Sequence, residues 1–150
     1  MSNKSGKKAS VAHSDMQKKD LLAKWDGTAA GAKALRMEGG WDTQVFQWRP
    51  AKPDFLYVAR AQLRGRSSLG NDSALFLTFL SASGKVVGVH RMQSLPKGET
   101  PVWRTAVLAD AAPEGTAWVG VGVGSSRQVQ DDWFEIGLVS LIGSEWRPAP

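Results

Sequence analysis

Seven tryptophans in a chain of 150 residues are the side chains best suited to recognition chemistry. An indole face on a surface stacks against flat or apolar ligand faces, those of sugars among them. The groups that catalysis draws on are sparse by comparison. There is no cysteine, so neither a disulfide nor a thiolate metal site can form. His13 and His90 are the only histidines, far apart and without an acid pair beside either, which argues against a metal site. Glu114, Asp131, Asp132 and Glu135 fall on turns or strand ends. Their spacing offers no two carboxyls across a sugar, which a glycosidase sets roughly 5–9 Å apart. The run VGVGVGSS (119–126) is followed by no Lys-Ser/Thr pair and opens no helix, so a phosphate-binding loop is rejected. The expectation is a protein that binds and does not catalyse.

The elements that must position these rings read as strands. From Ala32 onward, eight segments carry strand-like composition: AKALRME, TQVFQWR, DFLYVARAQLR, SALFLTFLS, KVVGVHRMQSL, PVWRTAVLA, TAWVGVGVG and DWFEIGLVSLI. The breaks between them hold Gly, Pro, Asn, Asp or Ser, which supply the backbone angles and side-chain bonds of turns. Alternation assigns faces. Tyr57, Ala59, Ala61 and Leu63 form one row, with Arg60, Gln62 and Arg64 opposite. Leu75, Leu77 and Phe79 oppose Phe76 and Thr78. Val119, Val121 and Val123 oppose Trp118, Gly120, Gly122 and Gly124, and Phe134, Ile136 and Leu138 oppose Trp133, Glu135 and Gly137. KVVGVHRMQSL gives a mixed signal. Eight strands with short breaks predict an all-β antiparallel β-sandwich, a jelly roll, over residues 25–143.

Charge separates the ends from this domain. The net charge is +5, but Lys4, Lys7, Lys8, Lys18, Lys19 and Lys24 all fall in the first 24 residues, against Asp15 and Asp20 alone. Residues 1–24 are therefore read as a basic, mostly disordered tail, with a short helix over Ser14–Lys24, and 144–150 as a C-terminal tail. Basicity confined to a tail makes nucleic acid a poor partner. No apolar run approaches the roughly 18–20 residues of a membrane span. The start MSNKSGKKASVAHSD lacks the apolar stretch of a secretory signal, so the expectation is an intracellular protein or an excised piece.

Several stretches, in order, resemble carbohydrate-binding modules of the family 4 and family 9 type, galactose-binding-like jelly rolls. GGWDTQVFQ (39–47) is similar to the family's Trp-Asp-x-Gln-apolar strand, and PAKPDFLYVARAQLRG (50–65) to its Pro-Gly-x-x-Tyr strand. LFLTFLSASGKVV (75–87) resembles a hairpin whose turn ends in Gly. VWRTAVLADAAPEGTAWVGVGVG (102–124) resembles a Trp-bearing strand, an Ala-Pro-x-Gly turn and the strand after it, and DDWFEIGLVSL (131–141) the closing strand. The likeness covers about residues 30–142. It implies that the strands near 43–49, 116–124, 74–80 and 85–92 share the sheet whose outer face binds ligand, that Trp103 sits in the core, and that the protein works outside the cytoplasm. The family's Asn-x-x-Phe-Glu-x-Gly segment is missing ahead of Trp25, and Glu135 stands where an Asp is usual, with Asp131 and Asp132 before it. Both places commonly help hold a structural calcium in the family, so these departures count against calcium, and no cofactor is expected.

On the outer face so defined, the resemblance and the alternation together nominate Trp41, Gln44, Trp48, Phe76 and Trp118 as ligand-binding residues. Aromatic faces would stack on pyranose rings of a polysaccharide or oligosaccharide while amides bond the hydroxyls. The same apolar face equally suits an assembly module that meets a protein partner or a second copy of the chain. Arg60, Gln62 and Arg64, on the opposite sheet, read as a solvated basic stripe.

Overall fold

The computed structural model describes residues 34–38 and 42–145. The basic tail, the helix expected over Ser14–Lys24, and His13, Trp25, Trp41 and Trp146 lie outside the described residues. Eight strands follow in chain order: β1 (Leu35–Glu38), β2 (Thr43–Pro50), β3 (Phe55–Ser67), β4 (Ser73–Leu80), β5 (Val86–Ser94), β6 (Gly98–Ala111), β7 (Trp118–Ser125) and β8 (Trp133–Glu145). They form two antiparallel four-stranded sheets, a back sheet ordered β1-β8-β3-β6 and a front sheet ordered β2-β7-β4-β5. This is the β-sandwich of jelly-roll type that the alternation predicts, and the front sheet holds the four strands that the resemblance groups together.

Alternation turns one row of each sheet inward. Tyr57, Ala59, Ala61 and Leu63 of β3 and Phe134, Ile136 and Val139 of β8 meet Val119, Val121 and Val123 of β7 and Leu75, Leu77 and Phe79 of β4, all buried. The Phe79 ring, fully buried, meets Tyr57 edge-on at 5.8 Å between centroids. The Tyr57 hydroxyl reaches the sandwich rim and accepts a hydrogen bond from the Lys52 backbone N–H at 3.1 Å. Burying such a row against a facing sheet is what fixes strand register, since a slip of one residue would send the whole row to solvent.

Several expectations are corrected in detail. β8 runs through Ser144 and Glu145, paired with Leu56 and Phe55, into the stretch read as a tail. β6 takes in Gly98 and Glu99, read as part of a turn, because Ser67 and Arg66 extend β3 to pair with them. Trp103 is not in the core. Alternation from the buried Ala106 sends Val107, Thr105 and Trp103 outward, and Trp103 lies on the outer face of the back sheet with its ring edge 3.7 Å from where a Cβ on Gly137 would stand. Leu138 also leaves the inward row: β8 bulges there and Val139 takes the buried place.

The loops at one end of the sandwich are tied by buried polar groups. The Asp132 carboxylate accepts hydrogen bonds from the Ser68 backbone N–H (3.1 Å), the Ser68 hydroxyl (2.7 Å) and the Val129 N–H (3.3 Å). Ser67 donates to Asp72, and the Ser73 and Ser125 hydroxyls meet at 2.9 Å. These bonds hold the loop after β3 against the loop before β8.

Candidate ligand face of the front sheet

Antiparallel register arranges the outer face of the front sheet in rows. Phe46, Gly122, Phe76 and Met92 stand side by side across β2, β7, β4 and β5. Trp48, Gly120 and Thr78 make the next row, and Pro50, Trp118, Leu80 and Val86 the one after. Glycine at 120 and 122 is what lets the rings lie down. A Cβ at Gly122 would fall 2.5 Å from the Phe46 ring, and one at Gly120 would fall 2.4 Å from the Trp48 ring. The two rings stack on each other, centroids 5.2 Å apart and planes within 13°. β2 thus lays a strip of two near-parallel rings over the bare backbone of β7.

Trp48 and Trp118 are the described tryptophans of this face, at 37% and 40% exposure. They are diagonal neighbours on paired strands, since Trp48 opposes Gly120 and Trp118 opposes Pro50; such pairs stand roughly 7–8 Å apart. Gln44 is exposed on the same face at the end of the strip. Phe76 lies on this face as alternation requires, but it is only 4% exposed. Phe46 covers it from one side, at 5.9 Å, and His90 of β5 stacks on it from the other, at 5.2 Å and 28°. The structure therefore brings Gln44, Trp48, Phe76 and Trp118 together on one surface, with Phe76 beneath and the others above.

His90 is the residue of this face that sequence reasoning missed. β5 is an edge strand of the front sheet, so its inward side is open and its apolar pattern is broken. Arg91 and Gln93, in register with the core residues Leu77 and Leu75, reach sideways to β6: Arg91 pairs with Asp110 at 2.8 Å, and Gln93 accepts from the Val107 N–H at 2.8 Å. His90 and Met92 fall on the ligand side as a result. The His90 Nδ1 contacts the Thr78 hydroxyl. The ring is exposed on one side, and its partial desolvation against Phe76 and its neighbours lowers the imidazole pKa from the ordinary value.

The acids that the resemblance associates with calcium are engaged otherwise. Glu135 accepts from Arg36 at 2.8 Å and from Arg64 at 2.5 Å, and Asp132 accepts from three donors. One oxygen of the loop cluster, Asp72 Oδ2, is buried without a hydrogen-bond partner. A single free oxygen falls far short of the six to eight that calcium takes, and among the described residues no group of three or more His, Asp and Glu is placed to hold a metal.

No family model matches the chain, and no curated protein matches it. Solved structures do. The structure titled "Family 16 Carbohydrate Binding Module-2" superposes with a TM-score of 0.55 at 11% identity, over 79% of this chain and 82% of that one. A family 4 module ("CBM4 structure and function") superposes at 0.54 and 11%, over 77% and 74%. The enzymatically active domain of bacteriophage CBA120 tailspike protein 4 gives 0.55 and 17%, but this chain spans only 16% of that one. The fold is that of a carbohydrate-binding module, and the likeness extends to more than one of their families.

Proposed function

We propose that the chain is a non-catalytic module that binds a polysaccharide or oligosaccharide on the outer face of its front sheet. The observation that carries this reading is the pair Trp48 and Trp118, both partly exposed on one face, with Trp48 laid down over the bare backbone of Gly120. Flat, rigid indoles stack on the C–H faces of pyranose rings and lose little conformational freedom in doing so. Gln44 supplies an amide for hydroxyl groups at the end of the strip. Phe76 acts from below, with Phe46 and His90 packed over it. The rows of this face carry no Asp or Glu, whereas glycoside hydrolysis needs two, and that supports binding without turnover. The sandwich is also the fold of the family 16 and family 4 modules.

Affinity gel electrophoresis against a panel of soluble polysaccharides tests the proposal. Retardation by at least one of them, lost in both Trp48→Ala and Trp118→Ala, is the expected result. A panel without retardation, or retardation unchanged in the two variants, sinks it. Light scattering on the same samples separates the assembly reading, which requires a stable oligomer that Trp118→Ala breaks.

A further inference from the structure

The outer face of the back sheet opens at a break in its ladder. β3 pairs Arg60 with Ser140 and Gln62 with Gly137, so β8 carries one residue more than β3 between those pairs. This is a β-bulge, and Leu138 within it takes a φ of 50°, a left-handed conformation that a residue with a Cβ seldom adopts. The Leu138 side chain is thereby turned to solvent, 47% exposed. Beside it lies an opening of about 230 Å³ lined by Arg60, Ala61, Gln62, Thr105, Leu138 and Ser140. That is smaller than the roughly 300–1,000 Å³ of sites for drug-sized ligands. It suits a single ring.

The chemistry of the lining is one-sided. Gln62 Nε2 donates to the Thr105 hydroxyl at 2.8 Å, which leaves the Thr105 proton and the Gln62 carbonyl oxygen for a ligand. Ser140 adds a second hydroxyl. The Arg60 side chain makes no ion pair or hydrogen bond with any described residue, while Arg36 and Arg64 share Glu135 and Arg91 holds Asp110. No carboxylate lines the opening. A free guanidinium with two hydroxyl donors and one amide acceptor, next to an aliphatic wall, complements a carboxylate on a hydroxylated ring.

We infer that this opening is a second binding site, and that it takes a sugar carboxylate, the uronate unit, with its ring against Leu138 and its acid group on Arg60. The inference stands apart from the front-sheet reading, because none of its residues lies on that face. A free uronic acid and a uronate within a polymer present the same group.

NMR titration of the full chain with D-galacturonate, D-glucuronate, an oligogalacturonide, D-galactose and inorganic phosphate tests it. At least one uronate should move the Gln62 side-chain amide and Leu138 methyl signals saturably. Arg60→Gln should weaken that uronate about tenfold, the loss of one charge-assisted hydrogen bond, and Arg60→Lys should recover part of it. Trp48→Ala should leave it unchanged. Tighter binding of the oligomer than of the monomer marks a polymer as the source; equal binding marks the single unit, and either supports the site. The inference is overturned if no uronate shifts these signals, if D-galactose or phosphate shifts them as strongly, or if Arg60→Gln titrates like the parent. Arg60 is exposed, and the unperturbed spectrum of the variant verifies that it folds.

Discussion

The ring of Trp48 lies directly over Gly120, where a Cβ would stand 2.4 Å from its Cζ3 atom. The glycine is therefore part of the aromatic surface, because its missing side chain is the space that the indole occupies. Gly120→Ala should lift Trp48 off the sheet. The ring is half-exposed and free to swing, so the stability loss should stay near or below about 1 kcal/mol. Glycan retardation should fall and the tryptophan fluorescence should shift toward that of a solvated indole. A variant that binds as the parent does would separate ring position from binding.

Gly124 sets the contrast. A Cβ there would meet backbone, the Thr43 carbonyl oxygen at 2.4 Å and the Gln44 Cα at 2.6 Å. Backbone within a ladder cannot step aside as a side chain does. Gly124→Ala should cost on the order of 1–3 kcal/mol, measured by urea denaturation, although the added group is the same methyl as in Gly120→Ala. Equal costs at the two positions would contradict the geometry.

The rows were legible in the sequence where a strand has sheet on both sides. β7 alternates valine inward with Trp118, Gly120, Gly122 and Gly124 outward, and those residues are where alternation puts them. Legibility ends at strand edges and bulges. β5 has neighbours on one side only, so polar Arg91 and Gln93 occupy positions that a central strand would fill with apolar groups. β8 gains a residue at Leu138, and the outward and inward rows exchange beyond it. A single inserted position reverses the faces without changing composition. Trp103 was misplaced for another reason: the resemblance put it in the core, whereas alternation from the buried Ala106 puts it outward with Thr105 and Val107. That Phe76 is covered could not be read at all, because cover depends on which way Phe46 and His90 lean.

Glu135 links two strands of the back sheet through cations that also meet tryptophans. Arg64 lies 4.5 Å over Trp103 and Arg36 lies 4.7 Å over Trp133. Glu135→Gln should destabilise the fold by about 1–2 kcal/mol, discounted because both guanidinium groups are partly exposed to solvent. Burial raises the Glu135 pKa, but the bonds from Arg36 and Arg64 outweigh it and leave the group below its ordinary value of 4.5. The unfolded chain therefore binds this proton first as pH falls. The contribution is complete above pH 4.5 and is lost as the pH drops through the lowered value, and Glu135→Gln should flatten that part of the curve of Tm against pH.

His90 predicts a second slope at higher pH, with the opposite origin. Its pKa is lowered from 6.5 by desolvation, so protonation favours the unfolded chain, which binds the proton more readily. Stability should be full above about pH 6.5 and decline as the pH falls below it, because the ring must then carry charge against Phe76 or leave the stack. Since His90 supports Phe76 and Phe76 supports Phe46, the same titration should loosen the aromatic strip. Glycan retardation should weaken between pH 7 and pH 5, and His90→Phe, which keeps a ring on Phe76, should remove the pH dependence while preserving binding at pH 7. If His90→Phe keeps the parent's pH profile, the strip is sensitive to some other group.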